Sequence, residues 1–188
     1  MLDTLILKAP LTASHIAMVF ARLAARGDGV LLVTAEAEVS ASQVLQRAAS
    51  LRNTLDAAGI CTGTICAFDG DYGFGTVTLF LALASLGAIA VPFSAGAVSE
   101  RDELAAMAGV EWWIEPETGA ARKADTGHDA PHALVSALAA SGHPGLIVFT
   151  SGSTGKPKAI LHDMDRVASK FATQRPGRRM VMFLLMDH

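Results

Sequence analysis

The apolar residues of this chain change period repeatedly, and each change marks the boundary of an element. Over residues 14–26, Ile16, Val19, Phe20 and Leu23 recur at helical spacing on one face, and Gly27 follows as a left-handed stop. The run GVLLVT then reads as a strand, and AEAEVS returns the chain through a short hairpin-like segment. Ser40 and Gln43 have the spacing of a capping box, in which each side chain meets a free backbone donor of the first helical turn. Such a cap contributes about 1 kcal/mol. The helix it opens carries Val44, Ala48, Leu51, Leu55 and Ala58 as one stripe, and Gly59 ends it before ICTGTICAF resumes an extended apolar run.

The alternation continues with a helix over residues 74–86, a strand over 88–91 stopped by Pro92, a helix opened by Ser99, and the strand VEWWIE. GDYGFG, at residues 70–75, is weakly similar to a phosphate-binding glycine pattern but reads as the turn that starts the helix at Phe74. Residues 116–142 are polar, then alanine-rich, and predict a loop and one short helix. GLIVFT is a strand, KAILH a second, DRVASKF a helix, and RRMVMFLLM a fully apolar strand. Uninterrupted apolar strands alternating with helices predict an α/β fold with a mostly parallel sheet covered by helices on both faces. Neither an internal repeat nor a flexible linker divides it, so residues 1–188 are expected to form a single domain.

Composition changes this picture in two ways. With 51% apolar residues, 18% charged residues and a mean hydropathy of +0.38, the surface is expected to be covered in part by other polypeptide, or to pair in a homodimer. A net charge of −3, with no basic run beyond Arg178 and Arg179, excludes the electrostatic footprint of a nucleic-acid binder. Residues 72–99 carry no charge and approach the length that spans a bilayer. Gly87 interrupts them, AIAVP follows and flanking anchors are lacking, so they read as a buried helix and strand rather than a membrane span. The first 15 residues lack the pattern of a signal peptide. Cys61 and Cys66 fit neither a zinc knuckle nor a redox pair and read as reduced core residues in a cytoplasmic protein.

The chemistry concentrates at residues 146–162, LIVFTSGSTGKPKAILH, where four hydroxyl-bearing residues, two glycines and two lysines share nine positions with Pro157 directly after a run of β-formers. A Walker loop is excluded. Its first glycine position holds Thr150 and its magnesium-binding hydroxyl position holds Pro157. Pro157 also keeps Lys156 from helical angles. Gly152 and Gly155 let backbone amides approach a ligand, while Thr150, Ser151, Ser153 and Thr154 add rotatable hydroxyl donors. Lys158 adds a positive charge, and the constellation suits a pyrophosphate.

TSGSTGKPKAILH resembles the phosphate-loop signature of the acyl-adenylating, AMP-forming superfamily, T-S-G-[ST]-T-G-x-P-K-G followed by a hydrophobic pair and often a histidine. That superfamily comprises acyl-CoA and aryl-CoA ligases, adenylation domains of peptide synthetases, and luciferases. One position departs, where Ala159 replaces the glycine. LFLALASLGAIAVPFSAGAVSERDEL and VSASQVLQRAASLRNTLDAAGI are similar to upstream family segments. MVMFLLMDH is similar to the strand leading to a Pro-x-x-His that borders the acyl pocket, with Leu185 in place of the proline and His188 as the histidine. VPFSAG departs from the Val-Pro-x-Asp usual in peptide-synthetase domains and favours an acyl or aryl ligase.

The resemblance implies ATP as co-substrate with magnesium, a carboxylic acid substrate, and a thiol acceptor in coenzyme A or carrier-protein phosphopantetheine. It assigns phosphate binding to Thr150, Ser151, Gly152, Ser153, Thr154, Gly155 and Lys158, acid binding to His188, and a solvated position to Lys156. The family's motifs for adenine, ribose and magnesium, and its mobile C-terminal lysine, have no counterpart in these 188 residues. The chain is therefore expected to be a truncated N-terminal piece that is inactive alone, with no catalytic residue of its own. A non-catalytic interaction subunit keeping the half-fold is the alternative. Four further residues are read as structural: His128 and His132, separated by Pro131 and lacking a third metal ligand, and Trp112 and Trp113, which should pack in a strand. His162 reads as the end of a surface hairpin.

Overall fold

The computed structural model describes residues 14–34, 37–94, 100–125, 130–151 and 157–173. In chain order the elements are α1 (His15–Arg26), β1 (Val30–Val33), β2 (Glu38–Ser40), α2 (Ala41–Ala57), β3 (Ile65–Asp69), α3 (Phe74–Leu86) and β4 (Ile89–Phe93). They continue with α4 (Arg101–Ala108), β5 (Trp112–Ile114), β6 (Ala121–Lys123), α5 (Ala133–Ser141), β7 (Gly145–Ser151), β8 (Pro157–Asp163) and α6 (Met164–Ser169). Among the described residues, six strands form one sheet in the order β6-β5-β3-β4-β7-β8, and β1 and β2 form a separate antiparallel pair. The four inner strands are parallel, whereas β6 and β8 run antiparallel at the two margins. The expected α/β architecture is present.

Period-2 alternation divides β3 and β4 between two cores. Ile65, Ala67, Ile89, Val91 and Phe93 pack with Leu104, Ala108, Val135 and Leu138 on the α4–α5 face. Cys66, Phe68 and Ala90 pack with Leu51, Leu55, Leu79, Leu83 and Leu86 on the α2–α3 face. A third cluster joins Ile16 and Phe20 of α1 to Leu45 of α2 and Ala168 of α6. α3 lies between the second and third clusters, with Leu79 in one and Leu81 against the other, which explains why its sequence is apolar all round. Among the described residues, no helix is long and apolar enough to cross a membrane.

Several boundaries differ from the sequence expectation. Pro92 sits inside β4 opposite Phe68, tolerated because the pairing of β4 with β7 ends at Ala90 and a missing N–H there breaks no ladder bond. β3 begins only at Ile65; before it Gly63 turns the chain with φ +82°, leaving Cys61 exposed while Cys66 is buried. Ala58 is the exposed cap of α2 rather than part of its buried stripe. β6 was not expected, since three residues carrying two cations give no readable period. Glu100 precedes α4 without a side-chain cap, and Ser99 and the segment RRMVMFLLM lie outside the described residues.

The expected capping box on α2 is present, with the Gln43 N–H donating to Ser40 Oγ at 3.2 Å and the Ser40 N–H donating to Gln43 Oε1 at 2.8 Å. Gly87 closes α3 at φ +72°, where an added Cβ would lie 2.8 Å from Thr62 Oγ1. Gly87→Ala should cost about 1–2 kcal/mol from left-handed strain, read as a lower urea midpoint.

α1 and α6 are joined by a buried carboxylate. Asp165, 7% exposed, accepts the Ile16 N–H at 3.0 Å, and its other oxygen lies 3.0 Å from His15 Nδ1. Burial pushes its pKa up, but the Ile16 and His15 hydrogen bonds and the charges of His143 and His15 outweigh burial and hold it below the usual carboxylate range. Its charged form therefore stabilises the fold above the unfolded value of about 3.9, and that contribution is lost as pH falls through the lower folded value. Asp165→Asn should lower stability at pH 7 by about 1–3 kcal/mol, and the gap in urea denaturation should close as pH falls below about 4.

Candidate phosphate-binding site at the β7–β8 hairpin

β7 and β8 pair in unbroken antiparallel register from Gly145 opposite Asp163 to Ser151 opposite Pro157. Residues 152–156 therefore connect the two ends of one hairpin. Gly152, Ser153, Thr154, Gly155 and Lys156 lie outside the described residues, as do His188, His128 and the side chain of Ser151. The described part of the site is its stem. Thr150 stands directly opposite Lys158, and both are exposed. Cross-strand partners share a face, so the hydroxyl and the ammonium leave the hairpin on the same side.

Register fixes where this stem stands. β7 runs parallel to β4 with Gly145 beside Ile89 and Leu146 beside Ala90. Continued along the strands, that alignment brings Phe149 level with Phe93, the last residue of β4, and the two rings stack with centroids 5.6 Å apart. Thr150 and Ser151 thus project beyond the C-terminal edge of the parallel strands, the edge at which open α/β sheets bind ligands. Among the described residues, the ion pairs involve His15, Arg101, His143 and Arg166, leaving the ammonium of Lys158 available.

Alternation puts Phe149, with Ile147, on the α4–α5 face and Thr150 on the opposite face, that of α3. Phe93 continues to Trp113 at 5.4 Å, and the guanidiniums of Arg101 and Arg122 lie 4.9 and 5.4 Å from the centroid of that indole. Arg101 also donates to Asp69 at 2.6 Å. Trp113 packs as expected, at 8% exposure. Sequence reasoning missed the Asp69–Arg101 pair, because its members are 32 positions apart and neither belongs to a motif.

Ala159 lies opposite Phe149 within regular β8, and no non-glycine residue among those described has a positive φ. A side chain at this position therefore meets no backbone strain, although the family signature has glycine. His162 is exposed and pairs with Leu146, as expected of a surface hairpin. His132 caps α5 through Nδ1, which accepts the Leu134 N–H at 3.2 Å. Among the described residues no group of three or more His, Cys, Asp or Glu side chains could hold a metal ion. Burial pushes the Cys66 thiol up, with Glu111 and Cys61 adding to the shift, so it is not a nucleophile.

No protein-family model and no curated protein matches the sequence. Solved structures share its fold. The N-terminal domain of FACL13 from Mycobacterium tuberculosis, in an inhibitor-bound crystal structure, is 23% identical with a TM-score of 0.69, over 93% of this chain and 52% of that one. The N-terminal subdomain of NpsA from Klebsiella oxytoca, in complex with 3-hydroxyanthranilyl-AMSN, is 21% identical with a TM-score of 0.60, over 79% and 40%. The nonribosomal peptide synthetase FmoA3, in its alpha-methyl-L-serine-AMP bound form, is 17% identical with a TM-score of 0.62, over 84% and 19%. The chain shares its fold with the N-terminal domains of FACL13 and NpsA and with part of FmoA3, and spans about half the length of the FACL13 domain, or less of the others.

Proposed function

We propose that this chain is the phosphate-binding N-terminal portion of an ATP-dependent, AMP-forming carboxylic acid ligase. In that reaction a substrate carboxylate attacks the α-phosphorus of ATP, pyrophosphate leaves, and the acyl-adenylate passes to the thiol of coenzyme A or of a carrier protein. The observation that carries the reading is the pairing of Thr150 with Lys158 at the mouth of a loop rich in glycine and hydroxyls, beyond the C-terminal edge of the parallel strands. The shared fold supports it, since the similar NpsA subdomain was solved with 3-hydroxyanthranilyl-AMSN and FmoA3 with alpha-methyl-L-serine-AMP.

On this reading the amides around Gly152 and Gly155 and the hydroxyls of Thr150, Ser151, Ser153 and Thr154 donate to the β- and γ-phosphate oxygens. They hold the departing diphosphate in line. The Lys158 ammonium offsets its growing charge; at ~4 Å and an effective dielectric of ~20 a unit pair interacts by about 4 kcal/mol before desolvation. His188 borders the acid. The described residues supply no donor set for magnesium, and no step assigned to this chain passes through the metal. The chain by itself should carry no adenylate turnover, because the groups that bind the nucleoside are matched by no motif in it.

Calorimetric titration of the 188-residue chain with inorganic pyrophosphate and with ATP tests this reading. Wild type should bind both, and Lys158→Met should weaken binding about 10- to 100-fold, the worth of one charge-assisted hydrogen bond. Absence of binding at millimolar ligand, or an unchanged affinity in Lys158→Met, would overturn the phosphate assignment. Pyrophosphate release by the chain alone, with ATP and a panel of carboxylic acids, would overturn its incompleteness.

A further inference from the structure

The hairpin stem is held to the sheet in an unusual way. The pairing of β4 with β7 ends at Ala90 and Leu146, and on the other side β8 is the margin among the described strands. Beyond Leu146 the stem is tied to the sheet by side chains on the α4–α5 face, namely Ile147, Phe149 and Leu161. Phe149 stands nearest the loop, one residue before Thr150. Its ring lies on Phe93 at an interplanar angle of 30°, Phe93 lies on Trp113 at 32°, and Trp113 is flanked by two guanidiniums, one of them bound to Asp69. One continuous chain of ring contacts, stacked between Phe149 and Phe93 and tilted between Phe93 and Trp113, thus joins the C-terminal ends of β7, β4 and β5, and through Arg101 that of β3.

From this we infer that Phe149 is the positioning residue of the phosphate site: by stacking on Phe93 it sets where Thr150 and Lys158 stand, and it couples their occupancy to Trp113. The inference rests on the phosphate reading of the loop for its ligand, though not for its geometry. Shape alone does not account for the arrangement, because an aliphatic side chain would fill the same apolar space without fixing an orientation. Stacked rings hold a preferred offset and tilt, worth a factor of about 3–10 in an equilibrium they bias.

The test compares Phe149→Tyr, which keeps the ring, with Phe149→Leu, which keeps only apolar volume, and with Ile147→Val, which loosens the same core one step deeper. Trp112→Phe serves as background so that Trp113 alone reports. Titration with inorganic pyrophosphate should change Trp113 emission in wild type and Phe149→Tyr. Phe149→Leu should lose that change and bind about 3- to 10-fold more weakly, while Ile147→Val lowers the urea midpoint and leaves affinity and emission response intact. Equal affinities and responses in Phe149→Leu and wild type would overturn the inference, as would an Ile147→Val that behaves like Phe149→Leu. If wild type binds no pyrophosphate, the phosphate reading falls, and the geometric claim is decided by ligand-free amide chemical shifts. Phe149→Leu should move the Thr150, Ser151 and Lys158 resonances and Phe149→Tyr should not; unmoved resonances in Phe149→Leu overturn it.

Discussion

Gly145 lets β7 lie directly against β4. A Cβ at this first residue of β7 would stand 2.8 Å from Leu138 Cδ2 and 2.9 Å from Ile89 Cγ1, so a larger residue there would force those side chains to shift. The Gly145 N–H donates to Ala88 O at 3.1 Å, and this bond and Gly145's place beside Ile89 fix the register. A parallel register carries no freedom once set, because a shift of one residue turns every side chain to the opposite face. Phe149 meets Phe93, and Thr150 clears the sheet edge, because the alignment is decided four and five residues earlier at a position with no side chain.

Burial falls off along β7 in the direction of the loop. Ile147 is 3% exposed, Phe149 is half-buried and Thr150 is exposed. The core that stabilises the inner strands thus gives way, within four residues, to a segment whose polar groups face solvent. β8, at the margin, presents Lys158, Ala159 and Ile160 to solvent in succession.

Signals confined to a few neighbouring residues were legible in the sequence. The Ser40–Gln43 box, the apolar α3, the glycine stops and the hairpin around the TSGSTGKPK loop each depend on contacts within about one turn or one register of the chain. What was not legible depends on distant partners. Whether Pro92 ends β4 is settled by how far β7 pairs alongside it, and Cys61 is exposed because a turn at Gly63 delays β3. The Asp165 carboxylate meets α1 from 149 positions away, and no local pattern marks it. Within the site, residue types were legible, but the stack through Phe149, Phe93 and Trp113 was not, since it joins three strands whose order no motif encodes.

The two ends of β7 have different tasks. At its base the chain is braced by His143, which lies 3.0 Å from Asp163, by the Met164 N–H donating to Pro144 O at 3.0 Å, and by Asp163 capping α6. At its tip stand Thr150 and Lys158. A seven-residue strand is about 23 Å long at ~3.3 Å per residue. A tilt of ~5° about its base would move the tip by roughly 2 Å. Between base and tip the stem is also held by Ile147 and by Leu161 of β8, which pack on the α4–α5 face. The contact of Phe149 with Phe93 adds a fixed point nearer the tip, so the free arm is the part of the hairpin beyond Phe149.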